Sequence, residues 1–226
     1  MHLDLIAGLP KEDLESFKNT FNTVFQLGAK ELQLGFLKML RGTKIRIEAD
    51  TYGYKYKEQA PYEIIKNNHL SEKDIEQIHL VEHMLEIHHN KGYFKDGMLA
   101  LLLKQSSPFD YLLKIGNHYM KNGYKFHRFQ IEDVYNRIFP LLSDQELYSI
   151  KQDYLKRSKI KPKLIFPVIK DKTIRSSIID FLEVKFNLDR TTLYKNSIIL
   201  EDVEEYFVIL YQSDSQKIFI IKKEDI

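Results

Sequence analysis

The apolar and polar positions of His2-Leu3-Asp4-Leu5-Ile6-Ala7 read as a strand that stops abruptly at Gly8-Leu9-Pro10. Leu14, Phe17, Phe21 and Phe25 then recur at helical spacing, which predicts a helix over 13–26 closed by Gly28. Leu32-Gln33-Leu34-Gly35-Phe36-Leu37 reads as a second strand, ending near Arg41-Gly42-Thr43. Strand, loop, helix, strand is a βαβ unit, whose strands run parallel with a right-handed crossover. Two parallel strands alone have unpaired edges and a bare face. The expectation is therefore that earlier strands of a larger sheet are missing.

Residues 44–68 form a mixed connection, with a short helix over 44–51 and loops at Tyr52-Gly53-Tyr54 and Ala60-Pro61-Tyr62. From Ser71 the pattern turns helical. Ser71 with Asp74 resembles a capping box, and Ile75, Ile78, Val81, Leu85 and His89 mark a long helix to about Asn90, closed by Gly92. Further helices are predicted over 94–105, 108–121, 130–138 and 144–157. Pro108 suits a first helical position, and Ser143 with Glu146 makes a second capping box. Residues 156–172 read as a loop with one short strand, followed by a helix over 173–186. Two apolar runs, 206–211 and 216–221, flank the polar turn Gln212-Ser213-Asp214-Ser215 and predict a β-hairpin, with a further strand within 194–200. The fold class is α+β: a βαβ unit, then a mainly helical part, then a hairpin. The expected boundary lies between 1–66 and 67–226.

Composition changes little in this picture until cysteine is counted. The 226 residues are 43% apolar and 29% charged, ordinary for a globular protein, and the net charge of +2 selects no class of partner. No stretch approaches the roughly 20 apolar residues of a membrane span, and no signal peptide is visible. A cytoplasmic location and no membrane partner are expected. Cys is absent. Disulfides, Cys-ligated zinc, thiol catalysis and an iron–sulfur cluster held by this chain are thereby excluded.

Candidate chemistry from residues alone is sparse. His79, His83 and Glu86 fall on one helical face, with His88 and His89 beyond. Two His four apart can share a metal, but the order His-x-x-Glu-His lacks the general-base position of the zinc peptidases. A polar face packed against Tyr or acids is the expectation. Lys151 to Lys172 holds eight basic and two acidic residues. No stacking aromatics interleave them and no nucleic-acid motif accompanies them, so a solvated connection is expected rather than nucleic-acid binding.

The opening Leu3-Asp4-Leu5-Ile6-Ala7-Gly8-Leu9-Pro10-Lys11-Glu12 resembles a late barrel strand of the radical S-adenosylmethionine (SAM) enzymes, whose pattern there is roughly Asp-Leu-Ile-x-Gly-Leu-Pro-x-Glu. Leu32 to Thr43 resembles the family's following strand with its Gly-Thr ending. The two occur in the family's order with one helix between, which is more specific than either alone. Tyr52-Gly53, Pro61-Tyr62-Glu63, Leu70-Ser71 and the helical remainder resemble a domain of unknown function that follows the barrel in a cobalamin-binding branch of that superfamily.

The resemblance implies a SAM site. The Asp at the position of Asp4 would bond the ribose, the Ile at the position of Ile6 would pack on the adenine, and Gly8 would let backbone approach the ligand. It also implies a 4Fe-4S cluster and cobalamin in the intact protein, neither held by this chain. The family's CxxxCxxC triad is missing, as are the earlier barrel strands. The chain is therefore expected to be a piece of a longer protein, inactive alone, whose first partner is the N-terminal part of that same protein. It would supply part of the SAM pocket wall and a lid or docking domain, acting on a substrate the sequence does not name. The alternative is a non-enzymatic interaction module with the βαβ unit as scaffold.

Overall fold

The computed structural model describes residues 1–94, 96–156, 165–213 and 215–226. It divides into two compact units, Met1–Glu146 and Leu147–Ile226. Helices and small sheets are mixed in the α+β manner that the patterning predicts. The boundary expected after residue 66 falls inside the first unit.

The first unit opens with β1 (His2–Ala7), α1 (Leu14–Phe25) and β2 (Glu31–Phe36). The strands pair in parallel, from His2 opposite Glu31 to Ala7 opposite Phe36, without a slip. Helix α1 begins where Asp13 accepts a hydrogen bond from the Ser16 backbone N–H at 2.8 Å, satisfying a donor that the first turn leaves free. Phe17, Phe21 and Phe25 are buried, and the first two meet the Phe109 ring edge-on.

The two faces of this strand pair differ. Residues directly opposite each other share a face. Leu3, Leu5, Ala7, Leu32, Leu34 and Phe36 lie on the face where Ala7, Leu32 and Leu34 are buried. His2, Asp4, Ile6, Glu31 and Gln33 lie on the other and are exposed, with Gly35 half-buried beside Ile6. Parallel sheets are ordinarily covered on both faces, and this one is covered on one.

The two edges differ as well. Beyond β2, the side-chain amide of Asn90 closes the edge: its Oδ1 accepts from the Leu32 N–H at 3.1 Å and its Nδ2 donates to the Leu32 carbonyl at 3.0 Å. Further along, Met39 N–H donates to Tyr62 O at 2.8 Å and Ile64 N–H to Leu37 O at 3.1 Å. Beyond β1 there is no strand among the described residues. Asn90→Ala removes three hydrogen bonds, two to Leu32 and one to Glu86, and leaves two partly buried backbone groups unpaired. We expect it to lower the stability of the first unit by about 1–3 kcal/mol, seen as a reduced urea midpoint at unchanged slope. An unchanged midpoint would mean that water seals that edge as well as the amide does.

Asn90 reaches Leu32 because the long helix does not end as an α-helix. Helix α3 (Glu72–Leu85) starts with the predicted box, Ser71 and Asp74 each bonding the other's backbone. Its continuation, Glu86–Asn90, is a π-helical turn, with the Lys91 N–H donating to Glu86 O at 3.0 Å. The short helix α2 (Lys44–Ile47) is followed by β3 (Lys55–Tyr56) and β4 (Ile64–Lys66), an antiparallel pair within the mixed connection expected over 44–68, beside the loops expected at 52–54 and 60–62. Strands of two and three residues are too short to carry a pattern.

The remaining helices of this unit are α4 (Gly97–Leu103), α5 (Pro108–Lys121) and α6 (Ile131–Ile138). Helix α5 crosses α3 closely at Gly116, where an added Cβ would lie 2.4 Å from Leu80 Cγ.

Helix α7 (Asp144–Leu155) runs across the division between units. The second unit contains α8 (Lys172–Phe186), α9 (Arg190–Asn196), and an antiparallel sheet in the order β5 (Ser197–Glu201), β6 (Glu205–Tyr211), β7 (Gln216–Lys222). The predicted hairpin is β6–β7, in register from Glu205 opposite Lys222 to Tyr211 opposite Gln216. Ile178, Ile179, Leu182, Leu193, Val208 and Ile221 form its core. Residues 157–164 of the loop expected over 156–172, with four of the eight basic residues of the run, lie outside the described residues.

Candidate functional site

A concavity of about 510 Å³ runs along the bare face of the parallel pair and its strand ends, with Asp4, Ile6, Gln33 and Gly35 on that face and Lys38 beyond the end of β2. Asp4 and Ile6 stand two apart on β1 and so project to the same side. Their side chains are accessible: Ile6 is 49% exposed and the Asp4 side chain 63%. Asp4 Oδ1 pairs with His2 Nε2 at 3.0 Å, and His2 Nδ1 lies 3.3 Å from Glu31. These contacts, with Asp4 first, hold the His2 imidazole above its ordinary pKa. The result is a short polar row, Glu31–His2–Asp4, leading to the apolar Ile6.

Gly8 lies off this surface. It is buried, with φ +92°, and an added Cβ would sit 1.9 Å from Ile64 Cδ1. Its carbonyl accepts from the Tyr54 hydroxyl at 2.8 Å and from Asn67 Nδ2 at 3.5 Å. The structure therefore brings Asp4 and Ile6 together and gives Gly8 the turn that ends their strand. Gln33, Gly35 and Lys38 were not singled out by sequence reasoning. The parallel register supplies the signal, because it sets Asp4 beside Gln33 and Ile6 beside Gly35.

The histidine row of α3 is spent on packing. The His79 ring stacks on Phe36 with centroids 3.6 Å apart, and its Nε2 lies 3.3 Å from Glu63. Burial pushes its pKa down. His83 stacks on Phe126, and its hydrogen bond to Glu82 raises its pKa. Glu86 accepts from Asn90 at 3.1 Å. His89 bonds the Ala29 carbonyl at 3.1 Å, and burial lowers its pKa. His88 is 2% exposed, with Nδ1 on Met84 O at 3.1 Å and Nε2 without a partner. Among the described residues no group of His, Asp and Glu could hold a metal ion, and no helix is long and apolar enough to cross a membrane.

The fold and this surface define an α+β protein whose parallel strand pair is, among the described residues, open on one edge and one face. The chain belongs to the family described as Protein of unknown function (DUF4080), whose model matches residues 50–215. That domain is found in radical SAM and cobalamin-binding proteins. No curated protein and no solved structure matches the chain. The matched region begins after β2, so the concavity lies ahead of it in the sequence.

Proposed function

We propose that this chain is the C-terminal part of a radical SAM protein, in which β1–α1–β2 ends a parallel barrel and the family domain follows as a lid or docking part. The observation that carries the reading is the bare, concave face bearing Asp4 and Ile6, on a strand pair open at the β1 edge alone. A parallel sheet of this kind calls for further strands and a cover. Asn90 supports the second half of the reading, because it bonds the family domain directly to the last strand.

The residues present fit one wall of a nucleoside pocket. Asp4 offers carboxylate oxygens to ribose hydroxyls, and Ile6 offers an apolar surface to a purine. They do not fit an iron–sulfur cluster, since the chain supplies no thiolate. The cluster, and the cobalamin implied by the resemblance, would be held by the preceding part of the same polypeptide. Bound SAM would supply the radical chemistry, while this chain would position the nucleoside and shield it from water. A cytoplasmic location accords with that chemistry.

The test joins the chain to the polypeptide encoded ahead of it, reconstitutes the cluster without oxygen and titrates SAM. Asp4→Ala should weaken SAM binding about tenfold or more, the loss of a hydrogen bond to a charged group. The 226-residue chain by itself should show no submicromolar binding, because most of the pocket is absent. A native reading frame with no cysteine triad ahead of His2 would sink the proposal and favour the interaction module.

A further inference from the structure

We infer that Arg41 and Arg46, which share the ring of Tyr62, form a binding site for a phosphate monoester in the loop that follows β2. The site uses neither Asp4 nor Ile6 and stands independently of the SAM reading above.

The argument begins with the counter-ions. The Arg41 guanidinium carbon lies 5.6 Å from the centre of the Tyr62 ring, and that of Arg46 lies 4.8 Å from the same centre. Like charges gathered at one ring repel each other, so a carboxylate is expected beside them. Among the described residues neither arginine has one. The neighbouring acids are engaged elsewhere: Glu48 lies 3.6 Å from Lys44 Nζ, and Glu63 lies 2.8 Å from Lys57 Nζ. Arg137 and Arg190, by contrast, pair with carboxylates of this chain. Arg46 is also half-buried, and a cation withdrawn from water without an opposite charge is costly. The negative charge that this pair lacks belongs to a body outside the described residues.

Both side chains are held in place. Arg46 Nη1 donates to the Met39 carbonyl at 2.8 Å, and the guanidinium lies over Tyr56 as well, 5.0 Å from its centre. Arg41 stands in a tight turn, where the Leu40 carbonyl accepts from the Thr43 N–H at 3.3 Å and from its hydroxyl at 2.7 Å. Tyr62 has φ +60°, in the left-handed region where a bulky side chain is uncommon. Residues held in such conformations gather at ligand sites. The loop lies beyond the carboxyl end of β2, the end at which parallel strands present ligands.

Charge and shape select the ligand. A guanidinium resting over a ring keeps its in-plane fork of N–H donors, which matches two oxygens of a phosphate or a carboxylate. The pair of forks carries two positive charges. A phosphate monoester at neutral pH carries nearly two negative ones on three acceptor oxygens. A carboxylate would neutralise one arginine and leave the other unpaired.

Inorganic phosphate is the probe, titrated into the 226-residue chain at neutral pH against chloride of equal ionic strength. The arginine Nε–H resonances are followed by NMR. Those of Arg41 and Arg46 should shift and saturate with a dissociation constant of about 1 mM or below. Arg46→Lys keeps the charge but loses the fork, and should weaken phosphate about tenfold. Arg41→Gln should do the same. It replaces an exposed side chain, so its melting temperature in chloride should match the wild type's, and its loss of affinity then reports contact rather than folding. Acetate should bind about tenfold more weakly than phosphate. A phosphate titration without saturation, acetate binding as tight as phosphate, or undiminished phosphate affinity in Arg41→Gln would each overturn the inference. None of these outcomes bears on the SAM reading, which the Asp4→Ala titration decides.

Discussion

Gly8→Val is expected to destabilise the first unit by about 2–5 kcal/mol, combining left-handed backbone strain of about 1–2 kcal/mol with overpacking of about 1–3 kcal/mol. The two causes are separable. The strain comes from φ +92° and would be felt by any side chain. The overpacking comes from Ile64, whose Cδ1 occupies the place of a Cβ at 1.9 Å. Gly8→Val with Ile64→Ala should recover the second part and retain the first. A loss of this size is a large fraction of the roughly 5–15 kcal/mol that holds a typical domain together. Urea unfolding read on tryptophan-free probes such as far-UV circular dichroism measures it. A single variant within about 0.5 kcal/mol of the wild type would contradict the turn geometry. Since Gly8 lies under Ile64 and off the concavity, a loss of ligand binding in this variant would report unfolding rather than contact.

Acidification from pH 7 to pH 5 is expected to cost the first unit about 2 kcal/mol through His88 alone. Burial lowers the His88 pKa from 6.5 to about 4, against a hydrogen bond to Met84 O that opposes the shift. The unfolded chain takes up a proton as the pH falls through 6.5, while the folded chain stays neutral until about 4. The unfolded state therefore binds more protons in this window, and stability falls with pH. The contribution is complete above about 6.5 and gone near 4. His79 and His89 are shifted in the same direction by burial. His83 and His2 are shifted the other way by their carboxylate partners, Glu82 for the first and Asp4 for the second. His88→Gln keeps a donor for Met84 O and cannot titrate. Its urea midpoint should change much less between pH 7 and pH 5 than the wild type's. Parallel pH profiles for the two proteins would rule His88 out as the acid-sensitive group.

The elements that the sequence makes legible are those with room for a period. Phe17, Phe21 and Phe25 mark α1, and the alternation around Leu32 and Leu34 marks β2. Pro108 and Ser107 set the start of α5 at the predicted residue. The βαβ unit follows from their order, and its parallel register then decides which side chains meet. What escapes is short or locally determined. Lys55–Tyr56 and Ile64–Lys66 pair across residues 57–63, and strands of two and three residues give no alternation to read. Helix α9 occupies residues where a strand was expected to begin, because Asp189 accepts from the Thr192 N–H at 2.7 Å and winds the first turn. Thr191, Thr192 and Tyr194 favour strands by propensity, and a side-chain cap outweighs them.

The candidate site was half legible. Asp4 and Ile6 stand out from their strand motif, and the structure sets them on one accessible face. Gly8 belongs to the same motif, yet its small size answers to Ile64, which is 56 positions away in the chain.

The π turn at Glu86–Asn90 makes this stretch sensitive to length rather than to composition. Its bonding span contains one residue more than an α-helical turn would hold. Deleting any one of the five would let the α3 ladder run on undisturbed, but each residue beyond the deletion would swing by about 100° around the helix axis. Asn90 would then face away from Leu32, and β2 would present a second free margin. Related chains should therefore vary in letters here while keeping the number of positions between the Ser71 cap and the amide at 90 constant.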